Sequence, residues 1–319
     1  MNVAFSVLSV LWFADQISSS FLKNPGGVII RLENRGRRRI GFIGAGKAGL
    51  TLGSYFLSKG LEISGYFSRT MDSALFAARI TGSSAFSSLN ELIEHSDILI
   101  LSTPDDVLPG LWSKLRKLEL TGRIVVHLSG SLSSDIFEGI GQKGASGYSV
   151  HPMFAFSGRD GSFDGLQDAF FTLEGPDERM EEVRELFHTT GNRTLVIEKD
   201  HKTRYHASNV MVSNLVIAII GVGCRSFEKC GVAEGDPLKA LLPLIRCNIE
   251  NMSARGLAGA LTGPAERNDV NTVKKHLDVL DQEERAIYIL LTKKLVRLAG
   301  EKHPGRDYSA LLNLLEDNR

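Results

Sequence analysis

From position 39 onward the chain sets short, continuously apolar runs against longer runs with helical spacing. Residues 39–43 read Arg-Ile-Gly-Phe-Ile, too short and too uniformly apolar for a surface helix. Similar runs at 61–67, 97–101, 123–128, 146–150 and 169–173 predict strands, with a last one at 195–197. Between them, 47–59, 72–81, 107–118 and 177–190 carry apolar residues three and four apart, the mark of amphipathic helices. Strands without in–out alternation belong to parallel sheets covered on both faces. After position 200 the strand signals stop, and helices are expected at 202–227, 237–255, 269–280 and 283–298. The pattern divides the chain into an extension (1–37), an α/β domain with a doubly wound parallel sheet (38–198), an all-helical domain (199–300) and a tail (301–319).

The strongest local signal follows the first strand. Gly44-Ala45-Gly46-Lys47-Ala48-Gly49 closes strand 39–43 and opens a helix. In a dinucleotide-binding unit Gly44 permits the tight turn, Gly46 lets the backbone approach a pyrophosphate, and Gly49 lets helix and strand pack closely. Amides near Lys47 and Ala48, at the helix N-terminus, would face the phosphates. The α/β domain is therefore expected to be Rossmann-like. The second strand ends Gly65-Tyr66-Phe67-Ser68-Arg69-Thr70, without the carboxylate that binds an NAD ribose. The Ser68 hydroxyl and the Arg69 guanidinium suit a 2′-phosphate, so NADP is expected in preference to NAD. A merely solvated Arg69 is the competing reading. Thr103 and Pro104 follow the strand at 97–101 and would border the nicotinamide ribose; Asp105 and Asp106 read as a helix cap.

Polar groups that could carry chemistry cluster at later strand ends and on the first long helix. His127-Leu128-Ser129-Gly130 and His151-Pro152 both end strands at the expected carboxyl edge. A histidine there can hydrogen-bond a substrate oxygen and pass a proton. Lys202, His206, Asn209 and Ser213 are spaced four, three and four, which puts them on one helix face. The apolar stretch 215–220 that follows predicts a helix buried across the molecule. Lys202, His151, His206 and Ser129 are the catalytic candidates, with Asn209, Asn214 and Arg267 for the substrate; Arg267 would clamp a carboxylate.

Composition narrows the partners. The 319 residues are 43 % apolar and 23 % charged, ordinary for a globular chain, and 37 basic residues balance 37 acidic ones. No global field favours nucleic acid or an anionic membrane. Three cysteines, none in a C-x-x-C pair, argue against a disulfide framework or zinc site and suggest buried, inert thiols in a reducing, cytoplasmic setting. The apolar run 3–14 lacks a preceding basic residue, ends at Asp15 and falls short of the ~20 residues of a span, so 1–37 reads as an extension outside the chemistry. Apolar surface in the helical half predicts a homodimer built through it.

Taken in order, Gly44-x-Gly46-x-x-Gly49, Ser129-Gly130, His151-Pro152, Lys202-x-x-Tyr205-His206-Ala207, Ser213-Asn214 and Thr262-Gly263-Pro264-x-x-Arg267-x-Asp269 resemble a family of oxidoreductases. That family joins a Rossmann-like domain to a helical domain of the DUF2520 type, and some members look like alternative ketopantoate reductases. The chain departs at Asn268, where the family carries glycine. The resemblance implies an NADPH-dependent reductase of a small carboxylate-bearing carbonyl compound, ketopantoate first among them. Prephenate-dehydrogenase-like and pyrroline-carboxylate-reductase-like activities are the alternatives, and a non-catalytic NADP sensor is the alternative of another class. In the prephenate group a serine and a His-Pro pair belong to the substrate site, which Ser129 and His151 resemble.

Overall fold

The computed structural model describes residues 38–318 apart from 157, 159 and 232–235; the extension read at 1–37 lies outside the described residues. Strand β1 (Arg39–Ile43) leads through the glycine turn into α1 (Lys47–Ser58), then β2 (Glu62–Phe67) and α2 (Met71–Thr81). After β3 (Ser84–Ala85), α3 (Leu89–Glu94) and β4 (Ile98–Leu101) come α4 (Leu108–Leu115) and β5 (Ile124–His127). The sheet finishes with β6 (Ser146–Pro152), β7 (Phe170–Glu174), α5 (Met180–Thr189) and β8 (Arg193–Val196). Strand order is β3-β2-β1-β4-β5-β6-β7-β8. The first six strands run parallel, whereas β7 pairs antiparallel with β6 and parallel with β8.

Both faces of the central strands are covered, as their unbroken apolar runs require. Ile40, Phe42, Ile98, Ile100, Ile124 and Val126 face a core shared with α1, α2 and α5. Ile43, Leu99, Leu101 and Val125 face a second core closed by α3 and α4, with Leu92, Leu111, Trp112 and Leu115. Successive residues alternate between the two faces, the two-residue period of a strand. The order reverses between β1 and β4, and ligands of such sheets lie at the carboxyl edge beside that point.

The helical half departs from expectation in several ways. The single helix read at 202–227 breaks at Ser213 (φ −120°, ψ −81°) into α6 (Lys202–Val212) and α7 (Asn214–Glu228). Ser213 Oγ donates to the Asn209 carbonyl there. Then follow α8 (Asp236–Ala260), kinked at Gly256, α9 (Pro264–Arg267), α10 (Val270–Val279), α11 (Gln282–Lys302) and α12 (Ser309–Asp317). The segment read as a tail is no tail: α11 runs to Lys302, and Leu311 and Leu315 of α12 are buried with Val273 and Leu277 of α10. The stretch 215–220 is not buried either. Leu215, Val216 and Ile217 stand 52, 39 and 71 % exposed, with Leu244, Ile249 and Leu257 of α8 also open. Cys230 and Cys247 are exposed as well, so they are not the buried thiols expected. By length and composition, 199–228 is apolar enough to cross a membrane. The break at Ser213 leaves α7 only 15 residues, roughly 22 Å at 1.5 Å per residue, against a hydrocarbon core of about 30 Å.

Candidate active site

The glycine turn has the shape a dinucleotide needs. Gly44 sits at φ +115°, and a Cβ there would lie 2.8 Å from Ser102 Oγ of the loop after β4. A Cβ on Gly49 would meet Ser102 Oγ at 2.4 Å and the Gly44 carbonyl at 2.5 Å, so helix and strand approach as closely as they do only through glycine. Gly46 meets nothing, which leaves its side open to a ligand. As N-cap of α1 it provides no side-chain acceptor, and the first-turn amides around Lys47 and Ala48 face outward uncapped. Ser68 is half-buried and Arg69 exposed at the end of β2, beside this turn. Thr103 Oγ1 is buried with no hydrogen-bond partner, and Pro104 is exposed next to it. The turn, the open Gly46 and the orphaned Thr103 hydroxyl all fit a dinucleotide lying across the β1–β4 edge.

Beyond that edge α6 is pinned to the sheet by Lys202. This lysine is 1 % exposed, and its Nζ donates to the Ser129 carbonyl at 3.0 Å and to Ser149 Oγ at 2.7 Å. Burial pulls its pKa down to about 8, while the Glu174 and Asp105 carboxylates resist that fall. At neutral pH it therefore remains a buried cation. Ser129 is tied on every side: Oγ donates to Asp105 Oδ2 at 2.6 Å and accepts from the amides of Ser131 and Leu132. Its single proton is committed, so Ser129 shapes the loop and is not free to donate to a substrate. Asp105, read as a cap, in fact accepts from both Ser129 and Ser131, at 2.6 and 2.9 Å, and makes no capping bond. Below them, buried His127 accepts the Ser129 amide at Nδ1 and donates Nε2–H to the Ser133 carbonyl. Burial lowers its pKa to about 4, which keeps that neutral form.

His151, at the end of β6, meets α6 from the other side. Its Nδ1 lies 2.7 Å from the Tyr205 hydroxyl, and its ring stands edge-on to both Tyr205 and His206, centroids 5.6 and 6.3 Å away. A Cβ on Gly130 would approach His206 Cδ2 at 2.7 Å and His151 Nε2 at 3.0 Å, so glycine at 130 is what lets the two imidazoles converge. Burial first, then the charges of Lys202 and His206, drop the His151 pKa to about 4. Asn209, one turn further along α6, keeps a buried Nδ2 without a partner.

Sequence reading thus finds a real cluster: Lys202, Ser129, His151 and His206 come together. It gives Tyr205 no role beyond its place in the Lys202-x-x-Tyr205 motif, reads Asp105 as a cap and does not single out Ser149, because the roles of all three are set by neighbours distant in sequence. Asn214 is exposed at the start of α7, and Arg267 is exposed on α9, which packs against α10 and α11. No hydrogen bond or ring contact among the described residues links either to the His151 cluster. Asp269 caps α10 as expected, accepting from the Thr272 amide, and Asn268 takes the positive φ (59°) that glycine would otherwise supply.

Two family models match the chain. A Rossmann-like domain model matches residues 30–152. The DUF2520 model, a domain of unknown function, matches 169–295. The chain therefore pairs a Rossmann-like domain with a DUF2520 domain. Among solved structures it is similar to a protein of Thermotoga maritima, with 25 % identity, 82 % of this chain and 99 % of that one covered, and a TM-score of 0.67. It shares the fold of a candidate NADP oxidoreductase of Bacteroides fragilis (23 % identity, 82 % and 98 % covered, TM-score 0.63). It also shares the fold of an imine reductase of Myxococcus stipitatus in complex with NADP+ (19 % identity, 87 % and 99 % covered, TM-score 0.55). No curated protein matches the chain.

Proposed function

We propose that this protein is an NAD(P)-dependent oxidoreductase, and more finely an NADPH-dependent reductase of a small substrate that carries a carboxylate beside a carbonyl or imine. The observation that carries the reading is the open Gly46 turn at the β1–β4 switch point, next to a half-enclosed group of one ammonium and two imidazoles. Bound there, the dinucleotide would supply hydride; the protein supplies orientation and charge. Ser68 and Arg69 would hold the adenosine 2′-phosphate, and the α1 amides the pyrophosphate. As hydride arrives, the substrate oxygen or nitrogen gathers negative charge. The buried Lys202 cation offers a preorganised positive field for it, and His151 and His206 carry exchangeable protons near the same edge. Asn209, with its unspent amide, is placed to bind the substrate. The fold similarity to a reductase with bound NADP+ supports the cofactor class. A non-catalytic sensor would have no use for a buried ammonium beside two converging histidines.

The exposed apolar faces of α7 and α8 would be covered by a second copy, giving a homodimer through the helical halves. Leu215, Ile217, Leu244, Ile249 and Leu257 are 52–71 % exposed, and Met211 and Val212 at the end of α6 stand 62 and 75 % exposed, a concentration of open apolar side chains that marks an association surface. Arg267 and Asn214 belong to that half and would reach a substrate carboxylate only once it is assembled. The functional test is NADPH consumption with ketopantoate and related 2-oxo acids, then with cyclic imino acids. Turnover of one class with NADPH at least tenfold favoured over NADH is expected. NADPH binding without turnover of either class would leave the sensor.

A further inference from the structure

We propose that Tyr205 is a positioning residue that holds His151 as its Nε2–H tautomer, so that the ring offers the substrate a hydrogen-bond donor in place of a lone pair. The inference deepens the reductase reading and rests on it for its functional consequence.

The placement begins with the sheet. In the antiparallel β6–β7 register His151 stands opposite Thr172, so their side chains share a face. Helix α6, anchored by Lys202, lays Tyr205 across that pair, its hydroxyl 2.7 Å from His151 Nδ1 and its ring edge-on to the imidazole at 84°. Lys202 Nζ lies 5.8 Å from the centre of the same tyrosine ring. The hydrogen bond could run either way, and two facts set its direction. Burial raises the Tyr205 pKa above its usual 10, so the phenol keeps its proton. A phenol oxygen is a weak acceptor, whereas a neutral imidazole nitrogen is a strong one.

An imidazole whose Nδ1 accepts, and which is neutral, has its only proton on Nε2. The charged and titratable groups that bear on it are Lys202 and His206 on α6 and Asp105 after β4; burial first, then Lys202 and His206, outweigh the opposing pull of the Asp105 carboxylate and keep it neutral at pH 7. No hydrogen bond among the described residues uses Nε2. Gly130 leaves it free of a side chain: a Cβ at 130 would sit 3.0 Å from Nε2. A neutral ring turned this way polarises a carbonyl or imine without adding a formal charge that would have to be solvated.

The test is Tyr205→Phe in the full-length protein, with histidine nitrogens labelled and His151 assigned by the signal lost in His151→Gln. In the wild type at pH 7 the spectrum should show Nδ1 unprotonated and Nε2 protonated in a single form. The phenylalanine variant should show both tautomers. Its kcat should fall tenfold or more, with KM and NADPH affinity within about twofold and thermal unfolding unchanged. A wild-type spectrum with the proton on Nδ1 overturns the proposal, as does a variant with the wild-type tautomer. If Tyr205→Phe does not fold, the wild-type spectrum decides alone. Should no substrate be reduced, the reductase reading fails while the spectrum still judges the tautomer.

Discussion

Replacing Lys202 by methionine should weaken function without weakening the fold. The ammonium is buried and its pKa falls from 10.5 to about 8. At about 1.4 kcal/mol per pH unit of difference, keeping it charged costs the folded state roughly 3 kcal/mol at neutral pH. Methionine fills similar space without the charge. The lost bonds leave no orphaned carbonyl, because Ser149 Oγ still donates to the Ser129 carbonyl at 3.2 Å. Stability at pH 7 is therefore expected to be unchanged or raised by up to ~2 kcal/mol, while turnover drops tenfold or more for want of the positive field. The pH dependence gives a sharper check. Below pH 8 the lysine is charged in both folded and unfolded chains and the full penalty applies. Between 8 and 10.5 the folded chain releases the proton first, so the wild type gains stability as pH rises. From pH 7 to 9.5 that gain is about 2 kcal/mol relative to Lys202→Met. Urea denaturation of both proteins at the two pH values measures the difference, with other titrations cancelling between them. A variant destabilised by more than ~2 kcal/mol at pH 7, or one whose stability tracks the wild type at both pH values, refutes the reasoning.

Four further outcomes follow. Arg69→Asp should erase or reverse the preference for NADPH, at least tenfold and so ~1.4 kcal/mol, read as a ratio of dissociation constants; equal affinities in the wild type contradict it. His151→Ala should cut turnover by ~10² to 10⁴ and leave NADPH affinity intact; because burial holds the histidine near pKa 4, wild-type kcat should show no inflection between pH 6 and 7 from this group. Gly49→Ala must displace Ser102 or the Gly44 carbonyl, so it should destabilise the fold by ~1–3 kcal/mol and weaken dinucleotide binding; wild-type melting and affinity would show the turn to be looser than drawn. Sedimentation at micromolar concentration should give about twice 34.9 kDa, and a lone monomer would leave the faces of α7 and α8 unexplained.

The sheet is legible in the sequence because its central strands bury both faces, which forces runs such as Ile98–Leu101 to be apolar without a gap. The nucleotide turn is equally legible, since three glycine roles leave three glycines. Strand β3 is two residues long and α3 only six, too short for periodicity to register. The Ser88–Glu91 cap of α3 was nevertheless there to be read. Helix α12 looks like a tail because its apolar positions make sense only against α10. The break at Ser213 is hidden for a similar reason: a serine that bonds back to the carbonyl four residues earlier leaves no pattern in hydrophobicity. In the site, Lys202 and His151 stand out as polar groups at apolar borders, whereas Tyr205 enters only as one position of the Lys202-x-x-Tyr205-His206 motif, with no role of its own. Its importance comes from a histidine 54 positions away, a pairing that local spacing cannot encode. Asp105 escapes similarly, since its partners Ser129 and Ser131 lie on the next strand's loop.

The most direct measurement is a crystal structure with NADPH bound. The pyrophosphate is expected over Gly46 and the α1 amides, the 2′-phosphate against Ser68 and Arg69, and the nicotinamide ring between Thr103–Pro104 and His151. A dinucleotide bound with its nicotinamide turned away from His151, or a 2′-phosphate in solvent remote from Arg69, would contradict it.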